Sequence, residues 1–404
     1  MKRSMERTLT THTGSLVRPV EIVNVFRKAD AGEPVAQAEI DHLLPGSVAA
    51  VVRQQAEVGI DVPSDGEFGK RGWTTYVAER LDGLESVETP PYGSLTAGFA
   101  GPDRERFAGF YKVYNRIERS VWLPGNEDAG PMEDLPSSWL RCVSPITYKG
   151  QDAVQRDIAN FKAALREVDV EEAFMPVAAP CSIQATRPNN YYKTEEEYVF
   201  AIAEAMRQEY KAIVDAGFLL QVDDAFIPVQ YARMIPGASE EDYRKYVGMT
   251  IDALNYALEG IPEERVRYHI CWGSQNVPHT WDVPLEQIVD LVFRVKAQAY
   301  SIEAANPQHE HEWEVWRDTK LPDGKILIPG VISHATNVVE HPRLVAQRIT
   351  NFARLVGPQN VIAGTDCGFS SNWNLVRVHP EVQWAKLEAL VEGARLAGKQ
   401  FFSG

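Results

Sequence analysis

The stretch "EEEYVFAIAEAMRQEYKAIVDAG" (195–217), followed by "FLLQVDDA" (218–225), decides the fold. In the first segment the apolar residues recur at the three- and four-residue spacing of one helix face, and the pattern stops at Gly217, a residue typical of helix ends. The second segment is a short apolar run that ends in polar residues, as a buried strand does. A helix that leads directly into such a strand is the repeating unit of a parallel α/β sheet.

Similar short apolar segments recur along the whole chain, each ending in small or polar residues. They are TLTTHTGS (8–15), GIDVPSDGE (59–67), CVSPITYKG (142–150), EAFMPVAAP (172–180), FLLQVDDA (218–225), RYHICWG (267–273), AYSIEAAN (299–306), ILIPGVIS (326–333) and NVIAGTDCG (360–368). Their alternation with helical patterns predicts an α/β fold whose parallel sheet closes as a (β/α)8 TIM barrel, with an open doubly wound sheet as the alternative. Nine segments are one too many, so 142–150 or the last segment is expected to be peripheral or partly formed.

Residues 70–141 fit neither the helix pattern nor the strand pattern, because they are rich in Gly, Pro and aromatic residues. We interpret residues 1–404 as a single catalytic (β/α)8 domain in which 70–141 is inserted as a lid over one barrel mouth. The aromatic side chains of the lid either pack it, which is the favoured interpretation, or wall an apolar pocket. They are Trp73, Tyr76, Tyr92, Tyr111, Tyr114 and Trp122.

Composition excludes several classes of partner. The 56 acidic and 41 basic residues give a formal charge of −15, and no basic stripe interrupts this balance, so no nucleic-acid partner is expected. No apolar run approaches the ~18 residues of a membrane span, and the first residues lack the apolar core of a signal peptide. We therefore expect a cytoplasmic protein without a membrane partner. The four cysteines are widely spaced, which argues against a disulfide framework, and assembly into a homo-oligomer stays open.

An imidazole and a thiol stand two residues apart at the end of one predicted strand. His269 and Cys271 therefore point to the same face, towards the barrel interior. Both groups are zinc ligands, and a zinc site needs further ligands from other strand ends, for which Glu303 and Cys367 are the candidates. An isolated H-x-C pair is a weak signal, since a buried Cys is more often a small apolar residue. The position of all four groups at predicted strand ends favours the metal site.

Seven motifs in sequence order then carry a family resemblance. They are "TTHTGSLVRP", "DGE", "LLQVDDA", "HIC", "YSIEAAN", "PGV" followed by "NVVEHP", and "DCGF". Together, over about residues 10–370, they resemble the C-terminal catalytic barrel of cobalamin-independent methionine synthase and its shorter relatives, in a superfamily shared with epoxyalkane:coenzyme M transferase. The resemblance implies a TIM barrel and a Zn²⁺ cofactor held by His269, Cys271, Glu303 and Cys367. It also implies that an amino-acid thiol is contacted by Gly14, Ser15, Glu67 and Asp223.

The chain departs from the family pattern at two places. Thr186 and Arg187 stand where the long synthases carry a pterin-stacking Trp and a Ser. Ser333 replaces a family Asp, and His334 is one residue out of register with the family's proton-donating histidine. The N-terminal half of the long synthases also has no counterpart in the sequence. We therefore expect a folate with a polyglutamate tail to be a poor donor, and a methyl corrinoid, a methylated small molecule or an epoxide to serve instead.

The expected function is that of a zinc-dependent methyl or alkyl transferase, similar to methionine synthase in methionine biosynthesis, whose partners are a small homocysteine-like thiol and an alkyl donor. A free thiol, with a pKa of about 8.5, is mostly protonated at neutral pH, whereas a metal-bound thiol is deprotonated and nucleophilic. We expect Glu303 to yield its place on the metal to the substrate sulfur, and His334 to act as general acid. Arg187 is the expected anion partner if the acceptor lacks an amine. The alternatives are an epoxide-opening thiol transferase of the coenzyme M type, a zinc hydrolase or lyase, and a barrel with a structural zinc.

The segment "NPQHEHEWEVW" (306–316) concentrates further candidate groups just after Glu303. His309 and His311 are less favoured alternatives to His334 as the general acid. The segment is interpreted as a polar loop at the barrel mouth with one member that reaches the substrate, rather than as a second metal site.

Overall fold

The computed structural model of the chain describes residues 1–34, 37–87, 101–117, 122–125, 139–235, 237–273 and 275–402. The strands are β1 (Leu81–Val87), β2 (Trp139–Tyr148), β3 (Phe174–Ala178), β4 (Leu219–Asp223), β5 (Val266–Ile270), β6 (Ala299–Ile302), β7 (Ile326–Ile332) and β8 (Gly364–Thr365). The α-helices are α1 (Val20–Asp30), α2 (Gln37–Val58), α3 (Val77–Arg80), α4 (Asp103–Arg106), α5 (Ala108–Ile117), α6 (Gln151–Leu165), α7 (Pro180–Gln184), α8 (Glu195–Asp215), α9 (Phe226–Met234), α10 (Glu240–Ala257), α11 (Val289–Val292), α12 (Pro342–Val356) and α13 (Pro380–Phe401). Short 3-10 helices lie at Glu263–Arg265, Leu285–Gln287, Glu310–Arg317 and Pro358–Asn360.

The central sheet has six parallel strands in the order β3-β4-β5-β6-β7-β8, so each strand pairs with the next one along the chain. Every residue of β3 to β7 is buried. Parallel strands that are covered on both faces have continuous apolar sequences rather than alternating apolar and polar residues. The predicted strand segments of this chain have such continuous apolar sequences. The register places Asp223 opposite His269, and His269 opposite Ser301, at the carboxyl ends of three neighbouring strands.

The first two predicted strand segments contribute single bridges instead of strands. Thr10 pairs in parallel with Ala363 and Thr11 with Val62. The Phe174 amide, at the start of β3, donates to the Pro63 carbonyl at 3.1 Å. The segment at Thr10 and Thr11 therefore lies beside β8, and the segment at Val62 and Pro63 lies beside β3. Because these two segments also pair with each other, the sheet is curled and its two edges approach one another. The fold is a mixed α/β fold with a curled parallel sheet in the form of a half-barrel.

Helix α8 begins and ends where the sequence predicts. The Thr194 hydroxyl accepts a hydrogen bond from the Glu197 amide at 3.1 Å, and the helix stops before Gly217, whose φ of 98° favours glycine. Its inner face buries Tyr198 and Ile202 in the main apolar core. Each such side chain contributes roughly 1.5–3 kcal/mol of burial, so the helix is held to the sheet by this face.

The predicted segment 142–150 lies outside the parallel sheet, which resolves the surplus in the strand count. It falls in and just after β2, which pairs with β1 in a separate antiparallel ladder. Beside this ladder Arg80 forms buried ion pairs with Asp157 and Glu209, and the Tyr148 hydroxyl donates to Glu209 at 2.9 Å. The last predicted segment is only partly formed, because β8 has two residues.

The described part of the predicted lid packs against the loop that follows β5. The Asp103 carboxylate accepts hydrogen bonds from the amide and hydroxyl of Thr280, and the Tyr114 hydroxyl accepts one from the Asn276 amide at 3.0 Å. Tyr92, which we predicted as a lid aromatic, lies outside the described residues. Among the helices that the structure describes, none has both the length and the apolar character that a membrane crossing requires.

Candidate functional site

Three potential metal ligands meet at the carboxyl ends of the strands. The ligand atoms of His269, Cys271 and Cys367 all lie within 4.8 Å of one another, and the two sulfurs are 3.7 Å apart. Two thiolates that are each about 2.3 Å from one tetrahedral Zn²⁺ lie about 3.8 Å apart. The observed spacing therefore fits two sulfurs that share one metal ion of this kind.

The imidazole of His269 is oriented for a ligand. Its Nδ1 lies 3.1 Å from the Ser301 hydroxyl, while its Nε2 is buried and has no hydrogen-bond partner among the described residues. Buried polar atoms are normally bonded, so an unbonded imidazole nitrogen beside two thiols is consistent with a metal-binding position. Burial, reinforced by the charge of Arg267, lowers the pKa of His269 to about 3, so the ring is neutral. A neutral imidazole is the form that binds metals.

Glu303, the predicted fourth ligand, does not belong to this three-residue group among the described residues. Its carboxylate accepts hydrogen bonds from the Trp272 amide at 2.8 Å and the Asn306 side chain at 3.0 Å. The following turn is held by Asp366, whose Oδ1 accepts from the Ala304 and Ala305 amides at 2.8 and 2.7 Å. The loops that carry Glu303 and Cys367 are thereby tied together.

Two buried carboxylates line the same cavity as the metal-ligand group. Glu67 and Asp223 are 3% and 7% exposed, and burial raises the pKa of both carboxyls. The charge of Glu67 raises the pKa of Asp223 further, whereas Lys70 and Arg18 oppose the shift at Glu67. Buried carboxylates are costly unless a cation or hydrogen-bond donors compensate them. This end of the cavity is therefore suited to a cationic group.

The backbone around Glu67 brings its carboxylate close to Gly14. Glu67 adopts a φ of 60°, which is uncommon for a residue other than glycine. A Cβ at Gly14 would lie 3.0 Å from Glu67 Oε1 and 2.8 Å from Pro176 Cγ, so the close approach requires glycine at this position. Ser15, which the sequence also predicts, lines the cavity and accepts a hydrogen bond from the Phe369 amide at its carbonyl, 2.9 Å away.

The metal-ligand group (His269, Cys271 and Cys367) and the acid pair (Glu67 and Asp223) open onto one cavity of about 870 Å³, its mouth included. An aromatic and apolar wall completes the lining. The residues of that wall are Trp73, Ala225, Phe226 and Leu375. The sequence-predicted candidates Gly14, Glu303, Arg187 and His334 are not among the described residues that line it.

Arg187 is engaged by the protein itself. Its guanidinium donates to the carbonyls of Thr74 and Ile183 at 2.6 and 3.2 Å and to the Thr186 hydroxyl at 2.7 Å. Burial lowers the pKa of Arg187 to about 10. The side chain therefore fixes the segment around Thr74. His334 is buried in the loop after β7, where the preceding Ser333 amide donates to Glu340 at 2.9 Å.

His309 was a candidate from the sequence, but its partners, which form a charged network around Asp282, were not predicted. His309 contacts Asp282 through Nε2 and Glu312 through Nδ1, each at 2.9 Å, and His279 Nδ1 contacts Asp282 at 2.7 Å. Burial lowers the pKa of His309, but the hydrogen bonds of the two carboxylates prevail and raise it to about 10. The His309 ring stacks on Trp272 with centroids 4.0 Å apart. The only sequence signal was the "HEHE" run, because the partners of His309 are dispersed along the chain.

No family model matches the chain, but its curated relatives include several methionine synthases. The methionine synthase of Saccharolobus solfataricus is 25% identical over 394 residues, which cover 97% of this chain and 95% of the relative. That of Saccharolobus islandicus strain Y.N.15.51 is 24% identical over the same length and coverage. The uncharacterized protein YxjH of Bacillus subtilis is 25% identical over 392 residues, covering 94% of this chain and 92% of that protein.

Solved structures show the same fold. A B12-independent methionine synthase from Shewanella sp. W3-18-1, in complex with selenomethionine, superposes with a TM-score of 0.67 at 19% identity and covers 98% of both chains. A putative vitamin-B12 independent methionine synthase from Listeria monocytogenes gives a TM-score of 0.64 at 18% identity and covers 96% of this chain and 98% of that one. Sequence relatives and fold agree with the motifs, and the chain is therefore similar over almost its whole length to methionine synthases of the B12-independent kind.

Proposed function

We propose that this protein is a zinc-dependent methyltransferase that methylates a small amino-acid thiol of the homocysteine type. The observation that carries the proposal is that the His269, Cys271 and Cys367 group lines the same cavity as the acid pair Glu67 and Asp223. One end of the cavity is suited to a thiol and the other to an ammonium group. Methionine synthases that match 97% of the chain support the same reaction class.

Within this proposal the scaffold is a single catalytic (β/α)8 barrel with residues 70–141 as its lid. The bridges of Thr10 to Ala363 and of Thr11 to Val62 support closure of the sheet, because they lie between β8 and the segment beside β3. The contacts of Asp103 and Tyr114 with the loop after β5 support the lid, because that loop follows Cys271 directly.

His269, Cys271 and Cys367 would hold the zinc ion. Bound there, zinc would keep the substrate sulfur deprotonated and nucleophilic. Three protein ligands are the number typical of a catalytic zinc site, in which the fourth position belongs to water or substrate. Glu303 is the proposed exchangeable ligand, since its carboxylate is anchored to the amide of Trp272, next to Cys271.

Glu67 and Asp223 would bind the substrate ammonium, and the backbone at Gly14 and Ser15 would contact the rest of the amino-acid group. A charge-assisted hydrogen bond contributes roughly 1.5–3 kcal/mol. Because the acid pair is fixed relative to the sulfur site, the ammonium would set the direction in which the thiol points. The leaving group needs a proton, and His334 is the proposed donor. Since His334 does not line the cavity, it would act through another group.

Two alternatives are less compatible with the donor set. Hydrolytic zinc sites favour imidazole and carboxylate ligands, whereas two of the three groups here are thiols. Structural zinc sites are closed by four protein ligands, whereas this group of three lines an open cavity. The proposed reaction is tested by incubating zinc-loaded protein with homocysteine and a methyl donor and following methionine by mass spectrometry. Methionine that forms with the wild type but not with Cys271→Ser is expected, and no methionine with any methyl donor would overturn the proposal.

A further inference from the structure

A buried histidine holds the backbone at Gly14. His12 is 1% exposed, and its Nδ1 accepts a hydrogen bond from the Gly14 amide at 3.1 Å. Burial, to which the charge of Arg267 adds, outweighs the hydrogen bond of Gln55 and lowers the pKa of His12 to about 4, so the ring is neutral. A neutral ring whose Nδ1 accepts a hydrogen bond carries its proton on Nε2. The Nε2–H therefore donates to the side-chain oxygen of Gln55, 2.7 Å away.

Gln55 connects this histidine to a second segment that also holds Gly14. Its side-chain oxygen accepts from the Ser64 amide at 3.1 Å, and its side-chain nitrogen donates to the Ser64 carbonyl at 2.9 Å. The Ser64 hydroxyl in turn donates to the Gly14 carbonyl at 3.0 Å. The side chains of His12, Gln55 and Ser64 are all buried. The amide and the carbonyl of Gly14 are therefore both held by one buried network.

This network fixes the direction of the Ser15 amide. In a trans peptide the N–H points away from the C=O of the preceding residue, and the described residues contain no cis peptide bond. Because the Gly14 carbonyl is directed at Ser64, the Ser15 N–H points away from Ser64. This N–H has no acceptor among the residues that the structure describes, although Ser15 is buried and lines the cavity. Buried amides are normally hydrogen-bonded, so this one is a donor that a ligand can use.

We propose that His12 is a positioning residue for substrate specificity, which holds the backbone of Gly14 and Ser15 so that the Ser15 amide donates to the carboxylate of an α-amino-acid thiol. This inference rests on the proposed function, in which Glu67 and Asp223 bind the ammonium group of the same substrate. An ammonium and a carboxylate on one carbon require an acceptor and a donor that lie side by side. The close approach of Gly14 to the Glu67 carboxylate meets this requirement. A thiol without the carboxylate gains nothing from this amide.

The test compares two thiols that differ only in the carboxylate, homocysteine and 3-amino-1-propanethiol. Calorimetry measures the affinity of both for the zinc-loaded wild type and four variants, after circular dichroism has shown that each variant is folded. His12→Leu removes the acceptor, whereas His12→Asn retains one, because an Asn side-chain oxygen accepts from the amide two residues along the chain. Ser64→Ala removes the hydrogen bond to the Gly14 carbonyl instead. His42→Leu is the control, since His42 is exposed and lies on the same helix as Gln55.

The wild type should bind homocysteine about tenfold or more tightly than 3-amino-1-propanethiol, since a charge-assisted hydrogen bond separates the two ligands. His12→Leu and Ser64→Ala should each weaken homocysteine binding by about tenfold, with less than about a twofold change for 3-amino-1-propanethiol. His12→Asn should lose less than His12→Leu, and His42→Leu should change neither affinity. If His12→Leu does not fold, Ser64→Ala and His12→Asn still provide the comparison.

Three results would overturn the inference. They are equal losses for both thiols in the folded variants, unchanged homocysteine affinity in His12→Leu or Ser64→Ala, and a wild type that does not prefer homocysteine to 3-amino-1-propanethiol. Failure of the zinc-loaded wild type to bind either thiol would instead contradict the proposed function. The failure of the inference and the failure of the proposed function are therefore distinguishable.

Discussion

His269 and Ser301 lie opposite each other on neighbouring strands, and the hydroxyl of Ser301 is 3.1 Å from Nδ1 of the imidazole. This contact leaves Nε2 as the nitrogen that is available to a metal ion beside Cys271 and Cys367. The register of two buried strands therefore fixes the orientation of the proposed ligand, and a Ser301 hydroxyl that accepts from Nδ1–H would leave the Nε2 lone pair for the metal.

Removal of this hydroxyl should weaken metal binding without abolishing it. Partners of metal-bound histidines typically contribute about 10- to 100-fold in affinity, so Ser301→Ala should lower zinc affinity by roughly tenfold. A competition titration with a chromogenic chelator measures the change. The matched control is Ser182→Ala, which removes a buried hydroxyl that contacts Asp224 instead of a ligand. Equal zinc affinity in Ser301→Ala and the wild type would contradict this role.

The thiols offer a second matched pair. Cys367→Ser should lose most of the approximately one equivalent of zinc that we expect per chain, because Cys367 belongs to the three-residue group. Cys181→Ser should keep its zinc, because Cys181 is buried against Tyr246, 3.7 Å from its hydroxyl, and lies outside that group. Metal analysis of the purified variants measures the zinc content of each. Full zinc content in Cys367→Ser would show that Cys367 is not a zinc ligand.

The acid pair should distinguish thiols by their amine. Asp223→Asn should weaken homocysteine binding by about tenfold or more, which corresponds to the roughly 1.5–3 kcal/mol of a charge-assisted hydrogen bond. Binding of 3-mercaptopropionate, a thiol without the amine, should not weaken. Asp224→Asn is the control, since that neighbouring carboxylate accepts from Ser182 and Tyr268 and does not line the cavity. An equal loss for both thiols would contradict ammonium recognition.

The His309 network should make stability depend on pH. The folded-state pKa of His309 is raised to about 10 from 6.5, so its stabilising contribution is complete below about pH 6.5 and is lost as pH rises to about 10. His309→Gln should remove this part of the pH dependence. Thermal unfolding of the wild type and the variant between pH 6 and pH 10 gives the difference in their stability. This difference should shrink as pH rises. A difference that grows with pH would show that His309 is not held as an imidazolium.

A polyglutamate tail should add no affinity to a folate donor. Such a tail is a polyanion, and among the described residues that line the cavity Arg377 is the one cation. With a formal charge of −15, the chain as a whole also repels polyanions. Competition binding of methyltetrahydrofolate with one and with three glutamates should give equal affinities or weaker binding of the longer form. Tighter binding of the triglutamate would contradict the donor class that we predicted.

Much of the fold could be predicted because buried parallel strands appear in the sequence as apolar runs. The exceptions have local causes. At the first predicted strand the Thr10 amide is bonded to the Asp61 carboxylate at 2.8 Å instead of to a strand partner, so only isolated bridges form there. The segment 142–150 forms its backbone hydrogen bonds with β1 rather than with the parallel sheet. No pattern within the segment itself predicts this partner.

The site could be predicted only where spacing places groups together. His269 and Cys271 share a strand end, and Cys367 follows another. The direction of a long side chain is not encoded in the same way, so Arg187 was predicted to bind substrate although its guanidinium holds Thr74 and Thr186. Trp73 was one of several equivalent lid aromatics in the sequence, and its place in the lining of the cavity became visible only in the structure.

The central claim is that a substrate thiol joins the metal held by His269, Cys271 and Cys367. Zinc-edge X-ray absorption of the loaded protein, recorded before and after addition of homocysteine, tests it most directly. We predict about two sulfur ligands near 2.3 Å without the thiol and about three with it, since a nitrogen or oxygen ligand is replaced. An unchanged number of sulfur ligands under saturating homocysteine would contradict thiol activation at this site.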